Sequence, residues 1–164
     1  MHMHYNSTLY RSNTLREAAT QYLEFIPLSC THLISAGMSG GAIASAILAL
    51  AKSRPQLAHR HFYVKEFSTS YRGHKKGTAG LCLEKCHVGM LVDDLAETGD
   101  TLLALKLRVV ESCDCSIIGA LIGTFIDGLG DSAQKIVNRF GFPITDVEKG
   151  ITLPPRHKKE EKPL

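Results

Sequence analysis

No stretch of this sequence is apolar for long enough to cross a membrane as a helix. The longest run, Ala42 to Ala51, is interrupted only by Ser45 and is about half of the roughly 20 residues required. Nor does charge of one sign dominate. Nineteen Lys and Arg stand against sixteen Asp and Glu, a formal +3. Four of the basic and two of the acidic residues fall in the last eleven positions, Pro154 to Leu164. The remaining body is therefore close to neutral, which excludes the broad basic surface of a dedicated nucleic-acid binder. Five cysteines cannot all pair, and an odd count suits a reducing compartment better than a disulfide scaffold. The opening Met-His-Met-His-Tyr-Asn has no basic segment leading into an apolar one, so no signal peptide is expected. There is no internal repeat. These absences together predict a soluble, cytoplasmic protein.

What is present is globular. The 164 residues are 44% apolar and 21% charged, enough for one domain with a core and too few for two. We expect a single domain over residues 1–153 and a disordered tail over 154–164, where Lys-Lys-Glu-Glu-Lys reads as a solvated end.

Thr14-Leu-Arg-Glu17 has the spacing of a capping box, and Leu15, Ala18, Ala19, Tyr22, Leu23 and Ile26 follow on one helical face. Pro27 ends that segment. Thr31–Ala36 reads as a buried strand, Gly37–Gly41 as a loop, and Ala42, Ile43, Ala46, Ile47 and Leu50 as a second helical stripe. His61–Val64 is strand-like, and Ser68–Gly80 is polar and glycine-bearing, a mobile loop. His87–Val92 and Ser116–Ile122 read as strands, with Thr101–Val110 a helix between them. Ser132 is placed to cap a last helix that Gly141 ends. Strands alternating with helices predict an α/β fold, a parallel β-sheet flanked by helices. Its ligands belong beyond the carboxyl ends of the strands.

The most informative of those ends reads Val92-Asp93-Asp94-Leu95-Ala96-Glu97-Thr98-Gly99-Asp100-Thr101, with a helix directly after it. Two adjacent carboxylates resist joint ionisation unless a cation or several hydroxyls take up their charge. Thr98-Gly99-Asp100-Thr101 adds backbone N–H groups, two hydroxyls and a helix amino terminus, a set suited to a phosphate monoester. A diol- or metal-binding end and a phosphate-binding end, roughly a ribose apart, fit a ribose 5-phosphate. The alternative for the acidic pair alone is favourable placement near a helix amino terminus, but that leaves the Thr-Gly-x-Thr that follows without a reason.

An apolar strand, Asp-Asp, three residues and Thr-Gly-x-Thr, unbroken from Val88 to Thr101, is similar to the phosphoribosyl-pyrophosphate signature of the type I phosphoribosyltransferases. Agreement in element order extends over about residues 30 to 125. The resemblance implies a type I phosphoribosyltransferase-like core with a small hood. It implies that Asp93 and Asp94 bind the ribose hydroxyls, directly or through Mg²⁺, and that Glu97, Thr98, Gly99, Asp100 and Thr101 wrap the 5′-phosphate. The loop after the first strand, Ala36, Gly37, Met38, Ser39 and Gly40, takes the place of the pyrophosphate loop, which in the family often holds a non-proline cis peptide. Here that bond would be Gly37–Met38 or Met38–Ser39. Lys65 takes the place of a basic residue contacting the diphosphate. Tyr71, Arg72, His74, Lys75 and Lys76 fall in a mobile lid, and from Lys65 to Lys76 four basic residues stand against one acidic.

The implied reaction is transfer of ribose 5-phosphate from 5-phosphoribosyl 1-diphosphate to a nitrogenous base, with release of pyrophosphate, Mg²⁺ as cofactor and a homodimer as assembly. Glu97 and Lys65 are the candidate catalytic residues. An acid at position 97 leans towards a purine-like base, because 6-oxopurine members carry one there. Those members also place a Lys near the end of the fourth strand, where this chain reads Leu121-Ile-Gly-Thr-Phe-Ile-Asp127 and has none. Phe125 is a candidate for stacking on the base and equally for the core. The hood must come from the first thirty residues or from the region after Phe125. Cys82-x3-Cys86-His87 and Cys113-x-Cys115 lack a second regular pair, so free thiols are expected in place of structural zinc. The competing function is a sensor that binds phosphoribosyl pyrophosphate or a nucleotide in the same pocket without turnover. An unrelated dinucleotide-binding or phosphatase domain is disfavoured, since Gly37–Gly41 lacks the fingerprint spacing.

Overall fold

The structure, a computed structural model, describes residues 12–51, 60–64, 78–80, 87–112 and 115–156. Its elements, in chain order, are α1 (Ser12–Glu24), β1 (His32–Ala36), α2 (Gly37–Ala51), β2 (Arg60–Val64), β3 (Thr78–Gly80), β4 (Val88–Ala96), α3 (Asp100–Ser112), β5 (Ser116–Phe125), α4 (Asp131–Phe140), β6 (Ile144–Asp146) and β7 (Ile151–Leu153). They form one sheet in the order β3-β2-β1-β4-β5-β6-β7. The five inner strands are parallel, while β3 and β7 close the two edges as antiparallel partners of β2 and β6. No helix among the described residues is long and apolar enough to cross a membrane.

Strand side chains alternate between two apolar layers, as the twofold period of a strand requires. Ile34, Leu91, Ala120 and Ile122 face α3 and α4, where Leu102, Leu105, Val109, Ile136, Val137 and Phe140 complete one core. Leu33, Met90, Val92 and Leu121 face α1 and α2, where Tyr22, Leu23, Ile43 and Ile47 complete the other. Burial on both faces explains why the central strands read as continuous apolar runs.

Several local expectations need correction. Thr14 is not the cap of α1, which already includes Ser12. Residues 37–41 are not a free loop. They form the first turn of α2, entered directly from β1 through Gly37 at φ +67°. No described peptide bond is cis, so neither Gly37–Met38 nor Met38–Ser39 is. Ser132 does not cap α4. That position is Gly130, without a side-chain hydrogen bond, and Gly141 ends the helix in the left-handed conformation with its N–H on the Val137 carbonyl. The end of the expected mobile loop is β3, and the segment after α4 adds two unexpected strands to the sheet.

Pro154–Arg156 is fastened to α4: Gln134 Nε2 donates to the Pro154 carbonyl at 3.0 Å, and the Arg156 N–H donates to Asn138 Oδ1 at 2.7 Å. The expected tail therefore begins bound to the domain, and its remainder lies outside the described residues. The described parts of both segments named for the hood pack on the core, through α1 on one face and α4 and β6 on the other, and residues 1–11 lie outside the described residues. Among the described residues after Phe125, the short turns at 126–130 and 147–150 stand at the carboxyl rim.

Candidate functional site

Strand order places the site. From β1 the chain moves to β2 on one side, then returns through β4 to the other side of β1. The outgoing connections of β1 and β4 diverge, opening a crevice beyond their carboxyl ends, the usual ligand position in a parallel sheet. Ala36 and the first turn of α2 form one lip and Asp93 and Asp94 the other. A Cβ at Gly40 would lie 3.0 Å from the Val92 carbonyl oxygen and 3.5 Å from Asp93 Oδ1. Glycine there lets the amino terminus of α2, with its unsatisfied N–H groups, sit against the end of β4.

Asp93 and Asp94 belong to the strand itself, which runs on to Ala96. Asp93 is only 7% exposed. Its Oδ1 accepts the Asp94 N–H at 3.0 Å, and its backbone carbonyl accepts the Tyr22 hydroxyl of α1 at 2.6 Å. Burial, then the charge and side-chain hydrogen bond of Asp94, push the Asp93 carboxyl up to about 8, against the opposing pull of the Asp94 N–H. Near neutral pH it therefore tends to keep its proton.

Glu97 and Thr98 follow in an exposed turn, and Gly99 turns the chain into α3 at φ +76°. Gly99 is buried, because a Cβ on it would meet Ile136 Cγ2 at 2.7 Å and Phe140 Cε2 at 3.2 Å. The wall behind this turn is thus α4. Its carbonyl accepts the Leu103 N–H at 2.9 Å, the first bond of the helix. Asp100 accepts the Thr98 hydroxyl on Oδ2 at 2.9 Å and the Arg139 guanidinium on Oδ1 at 3.0 Å. Those two contacts hold its carboxyl below the usual carboxylate range. Asp93, the turn from Leu95 to Leu102, and Ile126 line a cleft of about 230 Å³.

The structure thus brings Asp93, Glu97, Thr98, Gly99, Asp100 and Thr101 around one cleft, with Asp94 beside Asp93. Ala36, Gly37, Ser39 and Gly40 stand on the opposite lip, and Met38 there is 72% exposed. Phe125 is a correction. It is buried in the α3/α4 core, and its neighbour Ile126 lines the cleft instead. Lys65, Tyr71, Arg72, His74, Lys75 and Lys76 lie outside the described residues, although Val64 and Thr78, which flank their segment, are register partners. Cys30 and Cys115 are free thiols, and burial pushes Cys30 up to about 12, which suits an inert core residue. Cys82, Cys86 and Cys113 are outside the described residues. Tyr22, Ile126, Ile136 and Arg139 have parts in the site that sequence reasoning missed. Tyr22 is on the apolar stripe of α1, where its ring alone explains its position.

No protein family matches the chain by sequence profile, and no curated protein matches it by sequence. Similarity lies in shape. The orotate phosphoribosyltransferase of Francisella tularensis superposes with a TM-score of 0.66 at 14% identity, over 85% of this chain and 68% of that one. This chain has the type I phosphoribosyltransferase fold. The UMP synthase of Leishmania donovani gives 0.64 at 17% identity, with 87% of this chain matched to 28% of that one. Adenine phosphoribosyltransferase of Trypanosoma brucei, in complex with AMP, pyrophosphate and ribose-5-phosphate, gives 0.55 at 13%, over 74% and 56% of the two chains. On this phosphoribosyltransferase fold, the acidic pair and the glycine turn stand at the strand ends where the sheet topology independently places a ligand.

The residues present also fit a divalent cation of the magnesium kind. Among the described residues no three His, Cys, Asp or Glu side chains cluster to form a cage. Mg²⁺ needs none, since it binds through one or two carboxylates together with substrate oxygens and water. Two adjacent carboxyls, one of them raised by burial and by the charge of the other, are the kind of donor pair whose repulsion a cation relieves.

Proposed function

We propose that this protein transfers the ribose 5-phosphate group of 5-phosphoribosyl 1-diphosphate to a ring nitrogen of a nitrogenous base, releasing pyrophosphate. The observation that carries the reading is the succession along one crevice of a carboxyl pair, with Asp93 buried, and a glycine turn leading into the amino terminus of a helix. The pair matches a sugar diol and the turn matches a phosphate dianion, at the two ends of one pentose. Asp93 and Asp94 orient the ribose, and amides within residues 98–101 hold its 5′-phosphate. The first turn of α2 meets the diphosphate, with Lys65 at the leaving group.

The base nitrogen forms its bond to C1 as the C1–oxygen bond to diphosphate breaks, the electron pair leaving with the diphosphate. Glu97, exposed at the rim, takes up the proton the base gives away. Amides already aimed at the phosphate need no reorganisation as charge shifts between sugar and leaving group. Mg²⁺, held by Asp93 and Asp94, would supply positive charge to the sugar hydroxyls and the leaving diphosphate. Glu97 favours a purine-like acceptor.

The test is pyrophosphate release from 5-phosphoribosyl 1-diphosphate with Mg²⁺ and a panel of purine and pyrimidine bases. Base-dependent release supports the transferase. Asp93→Asn with Asp94→Asn should abolish it while the denaturation midpoint stays cooperative, and normal turnover in that variant would overturn the assignment. The described rim turns after Phe125 are short, at 126–130 and 147–150, and this favours one second reading, a sensor of the same donor. Saturable donor binding without release on any base would establish it.

A further inference from the structure

The turn proposed to hold the 5′-phosphate carries a carboxylate of its own. Asp100 opens α3, where its side chain is 69% exposed, and its negative charge stands beside the N–H groups that a phosphate dianion would use. Left uncompensated, that charge would repel the ligand.

The compensation comes from α4. Arg139 Nη1 lies 3.0 Å from Asp100 Oδ1, and Thr98 Oγ1 donates to Asp100 Oδ2 at 2.9 Å, so each carboxylate oxygen already has a donor. The same face of α4 that carries Arg139 presents Ile136 and Phe140, the two side chains that back Gly99. Residues 136, 139 and 140 share that face through helical spacing. Lys106 of α3 donates to the Phe140 carbonyl at 2.7 Å, which fastens the end of α4 to the helix whose amino terminus is at stake. Phosphate turn, α3 and α4 are therefore one mechanical unit, and among the described contacts Arg139 is the polar link from α4 to the acid within the turn.

We infer that Arg139 is the positioning residue of the phosphate site, drawing the Asp100 carboxylate aside and cancelling its charge so that the other amides of residues 98–101 accept a phosphate dianion. The Asp100 N–H is held within the turn, donating to Thr98 Oγ1 at 3.3 Å, so neither that N–H nor the Asp100 side chain is offered to the ligand. The inference rests on the reading of this turn as the 5′-phosphate site.

Ribose 5-phosphate is the probe, titrated calorimetrically into the full chain at low and high salt. Arg139→Gln should weaken binding roughly tenfold at low salt, as expected for one unscreened like charge about 6 Å away. The loss should shrink at high ionic strength. Arg139→Lys, which keeps the charge, should stay within about threefold of the native protein, and Arg139→Gln with Asp100→Asn should return to the same range. A merely structural Arg139 would show no rescue by Asp100→Asn and no salt dependence of the deficit. Binding by Arg139→Gln within twofold of native, or a double variant as weak as the single one, overturns the inference and leaves the site reading intact. Absence of binding by the native protein overturns the site reading and this inference with it. A urea midpoint for each variant separates lost binding from lost folding.

Discussion

Replacing Gly99 by Ala tests whether α4 holds the phosphate turn. Two separate costs are expected. A left-handed residue with a Cβ costs about 1–2 kcal/mol over glycine. The new methyl would also sit 2.7 Å from Ile136 Cγ2 and 3.2 Å from Phe140 Cε2, closer than carbon atoms approach, so α4 or the turn must shift. Overpacking of this kind costs about 1–3 kcal/mol, and the sum of the two is about 2–5 kcal/mol. Gly128 supplies the control, with the same φ of +76° and nothing within 4 Å of its would-be Cβ. Gly128→Ala should therefore cost only the backbone share. Urea denaturation of both variants, with unchanged m-values, measures the two. The refuting result is a Gly99→Ala cost no larger than that of Gly128→Ala.

Asp93 makes stability depend on pH. Its folded carboxyl is raised to about 8 from the ordinary 3.8, so the native state keeps a proton that the unfolded chain releases. Stability of the ligand-free protein should be fullest below about pH 4 as far as this group is concerned. It should fall as pH rises towards 8, by up to about 1.4 kcal/mol per unit, and Asp93→Asn should flatten that slope in pH-dependent denaturation. Tyr22→Phe leaves the buried Asp93 carbonyl without its 2.6 Å donor and should cost about 1–3 kcal/mol in the same assay. Asp146, fully buried, accepts from Thr124 Oγ1, the Phe125 N–H, the Lys149 N–H and Lys149 Nζ. Lys149→Met removes the only cation among these partners and should cost about 1.5–3 kcal/mol at neutral pH, measured by thermal or urea unfolding.

The inner sheet was legible because burial on both faces writes its strands as apolar runs. Thr31–Ala36, His61–Val64, His87–Val92 and Ser116–Ile122 all fall on observed strands. β3, β6 and β7 were not legible: three residues each, they are too short for a period to emerge, and pairing to a formed edge selects them, parallel for β6 and antiparallel for β3 and β7. Asp93, Asp94 and the Thr-Gly-x-Thr turn were visible because their chemistry is local. The rest of the site comes from long-range contacts. Tyr22 reaches Asp93 across 71 residues and Arg139 reaches Asp100 across 39, distances over which sequence alone has no pattern. Phe125 misled for the converse reason, since an aromatic at a strand end looks the same whether its ring points into the core or towards the rim.

The two halves of the crevice differ in how they prepare for a ligand. The phosphate half is rigid: Gly99 is wedged against α4, α3 starts from its carbonyl, and the acid within the turn is already paired. An anion arriving there displaces water and little else. The carboxyl half is held in an unfavourable state, with an acid kept protonated by its burial and then by its neighbour, and pinned through its backbone by Tyr22. A cation or a sugar diol removes the cause of that strain, so binding there is coupled to loss of a proton, whereas binding at the phosphate half is not. On the proposed reading such a site discriminates through the carboxyl half: free phosphate would satisfy only the rigid end, whereas a sugar phosphate with its diol would engage both.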